Sequence, residues 1–131
     1  MKTVDEAKKV LEDGMPEAAE TLNDEEKSKS FIEKLEEKLK NTKLNGVLEA
    51  VPLLISCVKS YIKHEYTEIP VGTMVAIVSA LVYWINPFDI IPDTIPGVGH
   101  IDDAAVVLVC LSMVKTDLDG YKAWLEKREA E

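Results

Sequence analysis

A chain of 131 residues carries 24 Asp and Glu against 15 Lys and Arg, a formal net charge of −9, and is 47% apolar. That length makes one domain, long enough to bury about two-thirds of the surface of its unfolded form. The charge argues against a nucleic-acid partner, because polyphosphate binding needs clustered Lys and Arg and the release of counterions, and it disfavours adsorption on anionic lipid.

Cys57 and Cys110 lie in apolar runs. They form neither a disulfide framework nor a metal-binding C-x-x-C, so both are expected as reduced core residues. Near the N-terminus, Lys2, Asp5, Glu6, Lys8 and Lys9 occupy the place of an apolar signal segment. The expected compartment is the cytoplasm, with membrane association held open.

Thr3 and Glu6 have capping-box spacing ahead of Val4, Ala7, Val10 and Leu11 on one helical face. Gly14 and Pro16 stop that helix. Asn23, with Glu26 three residues on, predicts the cap of a longer helix whose stripe is Phe31, Ile32, Leu35 and Leu39. Its other face is charged, and Glu25 with Lys29 and Glu36 with Lys40 are spaced to pair across a turn.

Asn45 and Gly46 punctuate the chain before a third helix, which sets Val47, Val51, Leu54, Val58 and Ile62 at helical spacing, with Pro52 starting or kinking its regular part. His64, near its end, is placed to satisfy terminal carbonyls rather than to serve Cys57, seven residues away. From Ile69 to Phe88 run twenty uncharged residues, enough on hydropathy to span a bilayer. Pro70, Gly72, Asn86 and Pro87 interrupt the ends of that run, and the next apolar stretch, Ala104 to Val114, has only eleven residues. A buried helix hairpin fits better than a membrane-embedded one, which stays as an alternative. The last helix sets Ala104, Val107, Leu108, Leu111 and Val114 on one face. Asp117, Asp119 and Gly120 predict a bend in it, and the residues after Lys127 are expected to fray.

Joining the two apolar runs is NPFDIIPDTIPGVGHIDD, residues 86–103, whose three prolines forbid a continuous helix across it. Pro87, Asp89, Ile91, Pro92, Asp93, Ile95 and Pro96, then Gly99, Asp102 and Asp103, resemble the P-x-D-x-I-P-D-x-I-P, Gly, Asp-Asp signature of the YkvA-like family. The resemblance covers roughly residues 47–115. It implies a small helical domain of unknown biochemical function, often bacterial, with some members assigned to membranes, and it carries over no catalytic or ligand residue.

Between Ile69 and Val114 the only formal charges are Asp89, Asp93, Asp102 and Asp103. Carboxylates brought close raise one another's pKa unless a cation, a hydrogen-bond network or solvent compensates. One reading is a hard-cation site for Ca²⁺, Mg²⁺ or Mn²⁺ built from these four and from loop carbonyls, with His100 as an added ligand for a transition metal. The other reading is architectural: Asn86, Pro87 and Asp89 start a helix, Asp93 turns the chain, and Asp102 or Asp103 caps the last helix at about 1 kcal/mol per cap. Architecture carries more weight, because the spacing matches no EF-hand loop.

No G-x-S-x-G, phosphate-cradling glycine loop or H-E-x-x-H is present, and G-V-G at residues 97–99 reads as a turn, so no catalytic residue is assigned. The chain is expected to be all-α: an N-terminal amphipathic arm over residues 1–44 packing on a helical domain over 45–131. Its expected role is a non-catalytic interaction or scaffold module, acting with a protein partner or at a membrane surface.

Overall fold

The computed structural model describes residues 2–85 and 103–130, and among them there are helices and no strand. Six α-helices lie among the described residues: α1 (Lys2–Asp13), α2 (Met15–Asn23), α3 (Glu25–Asn41), α4 (Val51–Ile62), α5 (Val71–Ile85) and α6 (Asp103–Ala130). A 3-10 turn, Gly46–Ala50, leads into α4. The all-α class follows directly from the heptad-like apolar spacing.

Helix α5 is the hub. It carries no charge, and Met74, Ala76 to Leu81, Tyr83 and Trp84 are all buried. A helix apolar on nearly every side can be stable in water only when wrapped, and α1, α2, α3, α4 and α6 all pack on it. From α1, Ala7, Val10 and Leu11 close one side, and Phe31 and Leu35 of α3 close another. The two buried cysteine thiols are unpaired, as expected of core residues.

Helix ends leave backbone groups without intrahelical partners. In this fold several are met by side chains from other helices. Ser79, in the middle of α5, donates to the Leu11 carbonyl in the last turn of α1 at 2.6 Å. Ser28 of α3 donates to the Thr21 carbonyl near the end of α2 at 2.8 Å. A side-chain pair adds to these: the Thr73 hydroxyl, in the first turn of α5, donates to the Asp117 carboxylate of α6 at 2.6 Å. Lys38 of α3 donates to the Trp84 carbonyl in the last turn of α5, with its ammonium 4.9 Å from the centre of the Trp84 ring. Helix α4 closes itself: the His64 and Glu65 amides bond the Tyr61 and Ser60 carbonyls at 3.1 and 2.9 Å, with His64 at φ 60° where glycine is usual.

The structure corrects the sequence reading in several places. Lys2 is already helical, so Thr3 lies inside α1 and is not its cap. Met15–Asn23, read as an interruption, is the helix α2, with Pro16 in its first turn where the missing N–H costs nothing. Because Asn23 ends α2, the cap of α3 moves to Asp24, whose carboxylate accepts from the Lys27 amide at 3.0 Å. Glu36 turns away from Lys40 to Lys59 of α4 at 3.4 Å, and Lys29 makes no ion pair among the described residues.

Helix α6 runs unbroken through Asp117, Asp119 and Gly120. Its inward face is Val107, Cys110, Val114, Leu118 and Tyr121, while Leu108 points out. The expected stripe is thus two faces. Gly120 does not break the helix, and a Cβ there would make only ordinary contact with the Tyr66 hydroxyl, at 3.5 Å. The end beyond Lys127 stays helical to Ala130, with Arg128 paired to Glu65 at 3.3 Å and set against the Trp124 ring at 5.2 Å.

Candidate functional site

Asp89, Asp93, Asp102 and His100 lie outside the described residues, and Asp103 enters only as the first residue of α6. The proline-rich crossover lies outside them too. Among the described residues, no group of three or more His, Cys, Asp or Glu is placed to hold a metal ion. What the structure supplies is the frame on which the crossover is strung, from Ile85 at the end of α5 to Asp103 at the start of α6.

That frame contains cations the linear sequence does not place there. Between Ile69 and Val114 there is no Lys or Arg, yet α3 brings Lys34 and Lys38 alongside the end of α5. Lys38 is held by the Trp84 carbonyl and ring, a favourable place for a cation because the helix dipole is negative there. Trp84 is fully buried, and its indole Nε1 has no hydrogen-bond partner among the described residues. Lys34 is exposed and makes no ion pair among the described residues. The only sequence signal for this pair is their i,i+4 spacing, which puts both on one edge of α3.

Two clefts flank that edge. The larger, about 450 Å³, runs between α2, α3 and the end of α5 over Phe31, Val82 and Ile85, with Glu17, Glu20, Lys27 and Lys34 at its rim. Lys27 is engaged by Glu20, whose carboxylate raises its pKa above the ordinary lysine value. A smaller cleft of about 310 Å³ shares Lys34 and Ile85 and continues toward Glu37, Lys38 and Asn41.

A separate polar cluster sits between α4 and α6. The buried Tyr121 hydroxyl lies 2.6 Å from Ser56 Oγ and 2.9 Å from Ser60 Oγ. Its ring packs against Tyr66 at 5.2 Å and Trp124 at 5.7 Å. These serines border a cleft of about 270 Å³ with Lys59 and Lys63. Among the described residues no His or carboxylate bonds these hydroxyls, and Lys59 is engaged by Glu36. The three hydroxyls satisfy one another, which is what a buried phenol requires.

Burial also works against cysteine reactivity. Burial pushes both thiols up to about 12, with the Asp117 carboxylate adding to the rise at Cys57. Thiols held neutral are poor nucleophiles. His64 lies exposed beyond the end of α4, while Cys57 is buried within it.

Against known proteins, the family described as "Protein of unknown function (DUF1232)" matches residues 73–109. The match therefore begins in the first turn of α5, takes in the crossover and ends in the first half of α6. An uncharacterized membrane protein of Bacillus subtilis (strain 168), YkvA, is 30% identical over 86 residues, which cover 66% of this chain and 81% of that protein. No solved structure matches. Among the described residues, no helix is long and apolar enough to cross a membrane.

Proposed function

Since the chain belongs to the YkvA-like (DUF1232) family of proteins of unknown function, we propose that it is a non-catalytic interaction module that works at a membrane surface. The observation that carries this reading is the outward face at the start of α6. Leu108 is 54% exposed there, with half-buried Ala104 and Leu111 one turn to either side of it. The stretch Ala104 to Val114 bears no charge, so nothing on it opposes contact with an apolar phase. Met113, 47% exposed, lies five residues on, well round the helix from Leu108, and belongs to a different face.

Magnitudes limit the mode of attachment. Fully burying a Leu side chain is worth about 1.5 to 3 kcal/mol, and Leu108 is already half-covered, so the gain from it is roughly 1 to 1.5 kcal/mol. Such a gain supports reversible surface contact, not insertion. A net charge of −9 adds repulsion from anionic lipid. The module accordingly prefers zwitterionic surfaces, and a stable complex needs a second contact, with lipid or with a membrane-bound protein.

Vesicle flotation tests this. The full chain is expected to float with phosphatidylcholine vesicles and to be progressively lost as phosphatidylserine is added at low salt. A chain that stays at the bottom of the gradient with every composition, and in the supernatant on fractionation of cells, contradicts the reading.

A further inference from the structure

The larger cleft has a built polarity that the surface-binding role does not use. Its floor is Phe31, Val82 and Ile85, and its cations differ in availability. Lys27 is engaged by Glu20, and Lys38 in the adjoining cleft is engaged by the Trp84 carbonyl. Of the lysines, only Lys34 lines both clefts, and it makes no ion pair among the described residues. An ammonium with no ion pair among the described residues, at the rim of a cleft floored by Phe31, Val82 and Ile85, suits an anionic head joined to a hydrocarbon tail.

We propose that this cleft binds a long-chain carboxylate, with the head on Lys34 and the tail over Phe31, Val82 and Ile85. A volume of about 450 Å³ falls in the range of sites that enclose small molecules, about 300 to 1,000 Å³. A phosphorylated polar ligand fits poorly. The floor is apolar, no Arg fork lines the cleft, and one Lys cannot offset a dianion beside Glu17. A neutral hydrocarbon leaves the Lys34 charge unused. The proposal stands apart from the membrane reading, because the carboxylate is taken free from solution and the cleft lies on α2, α3 and α5 rather than on α6.

Decanoate, used well below its micelle concentration, is the probe, and calorimetric titration into the full chain is the measurement. Saturable binding of one molecule per chain is expected. Lys34→Gln should weaken it about fivefold to tenfold, the size of one charge-assisted contact, and added salt should weaken the wild type toward the same value. Ser30→Trp, at an exposed position that lines the cleft, should abolish binding without disturbing the core. The uncharged 1-decanol should bind wild type no better than decanoate binds Lys34→Gln. Absence of saturable binding overturns the proposal, and so does binding that survives both substitutions. The flotation reading is scored separately, since Lys34→Gln leaves flotation unchanged and a substitution at Leu108 leaves decanoate binding unchanged.

Discussion

Thr73 in the first turn of α5 donates its hydroxyl to the carboxylate of Asp117, forty-four residues away in α6, at 2.6 Å. This contact places a negative charge at the positive end of the most buried helix in the fold, from a residue whose type and neighbours suggested a helix break. It stitches the two helices that flank the crossover. Asp117→Ala is expected to lower stability by about 1 to 2 kcal/mol, since a hydrogen bond to a charged group and a dipole interaction are lost together. A double-mutant cycle with Thr73→Val should return a coupling of about 1 kcal/mol. Strict additivity in urea unfolding contradicts the assignment.

His64 occupies the left-handed position of the motif that ends α4, at φ 60°. An L-residue there costs roughly 1 to 2 kcal/mol that glycine avoids, while glycine loses some of this to chain entropy in the unfolded state. His64→Gly should therefore stabilise the protein by about 0.5 to 1 kcal/mol, read as a rise in Tm. The side chain is exposed and no contact is sacrificed. A fall in Tm shows that the imidazole does something the closure of the helix does not require.

Lys38 closes the other end of α5, on the Trp84 carbonyl and ring. Lys38→Met keeps the stem that covers the ring and removes the charge, so the loss is that of the hydrogen bond and the cation–π contact, about 1 to 2 kcal/mol. The emission of Trp84 should change with it, because the ammonium leaves the indole face. Unchanged stability and unchanged fluorescence argue that the carbonyl is satisfied another way.

The hub was legible because its signal is local: a run without charge, bounded by Pro70 and Pro87, has to be buried whatever surrounds it. The stripe of α3 was legible for the same reason, from Phe31, Ile32, Leu35 and Leu39 at helical spacing. Missed features depend on partners far along the chain. Asp117, with Asp119 and Gly120 close behind it, looks like part of a break until Thr73 of α5 is placed beside it. Leu108 looks like core until the neighbouring helices select Val107 and Cys110 as the inward face. Short α2 is hidden because Gly14 and Pro16, which end one helix, also begin the next. The four aspartates could be listed from sequence, whereas Lys34 and Lys38 beside the end of α5 could not, since only the packing of α3 brings them there.

The thiols give a pH prediction with a definite sign. Both are pushed from an ordinary value near 9 up to about 12 by burial, so the folded chain keeps its protons where the unfolded chain has lost them. Their contribution to stability is full below about pH 9 and is lost as pH rises toward 12, at about 1.4 kcal/mol per pH unit for each thiol. Urea unfolding of wild type should therefore weaken more between pH 8.5 and 10, roughly two thiols' worth, than unfolding of a Cys57→Ala, Cys110→Ala variant. Iodoacetamide should label both cysteines in urea and neither in buffer. Equal labelling in the two states contradicts their burial.

The outward leucine of α6 is the point on which the functional reading turns. Leu108→Asp exchanges an exposed apolar side chain for a charge on a helix whose inward face it does not touch, so the fold and its helical circular dichroism should be unchanged. Flotation of this variant with phosphatidylcholine vesicles is the most direct measurement. Partitioning about tenfold or more below that of wild type is the predicted result, given that one half-buried Leu is worth about 1 to 1.5 kcal/mol and a carboxylate in its place adds a penalty. A folded Leu108→Asp chain that floats as well as wild type contradicts the account.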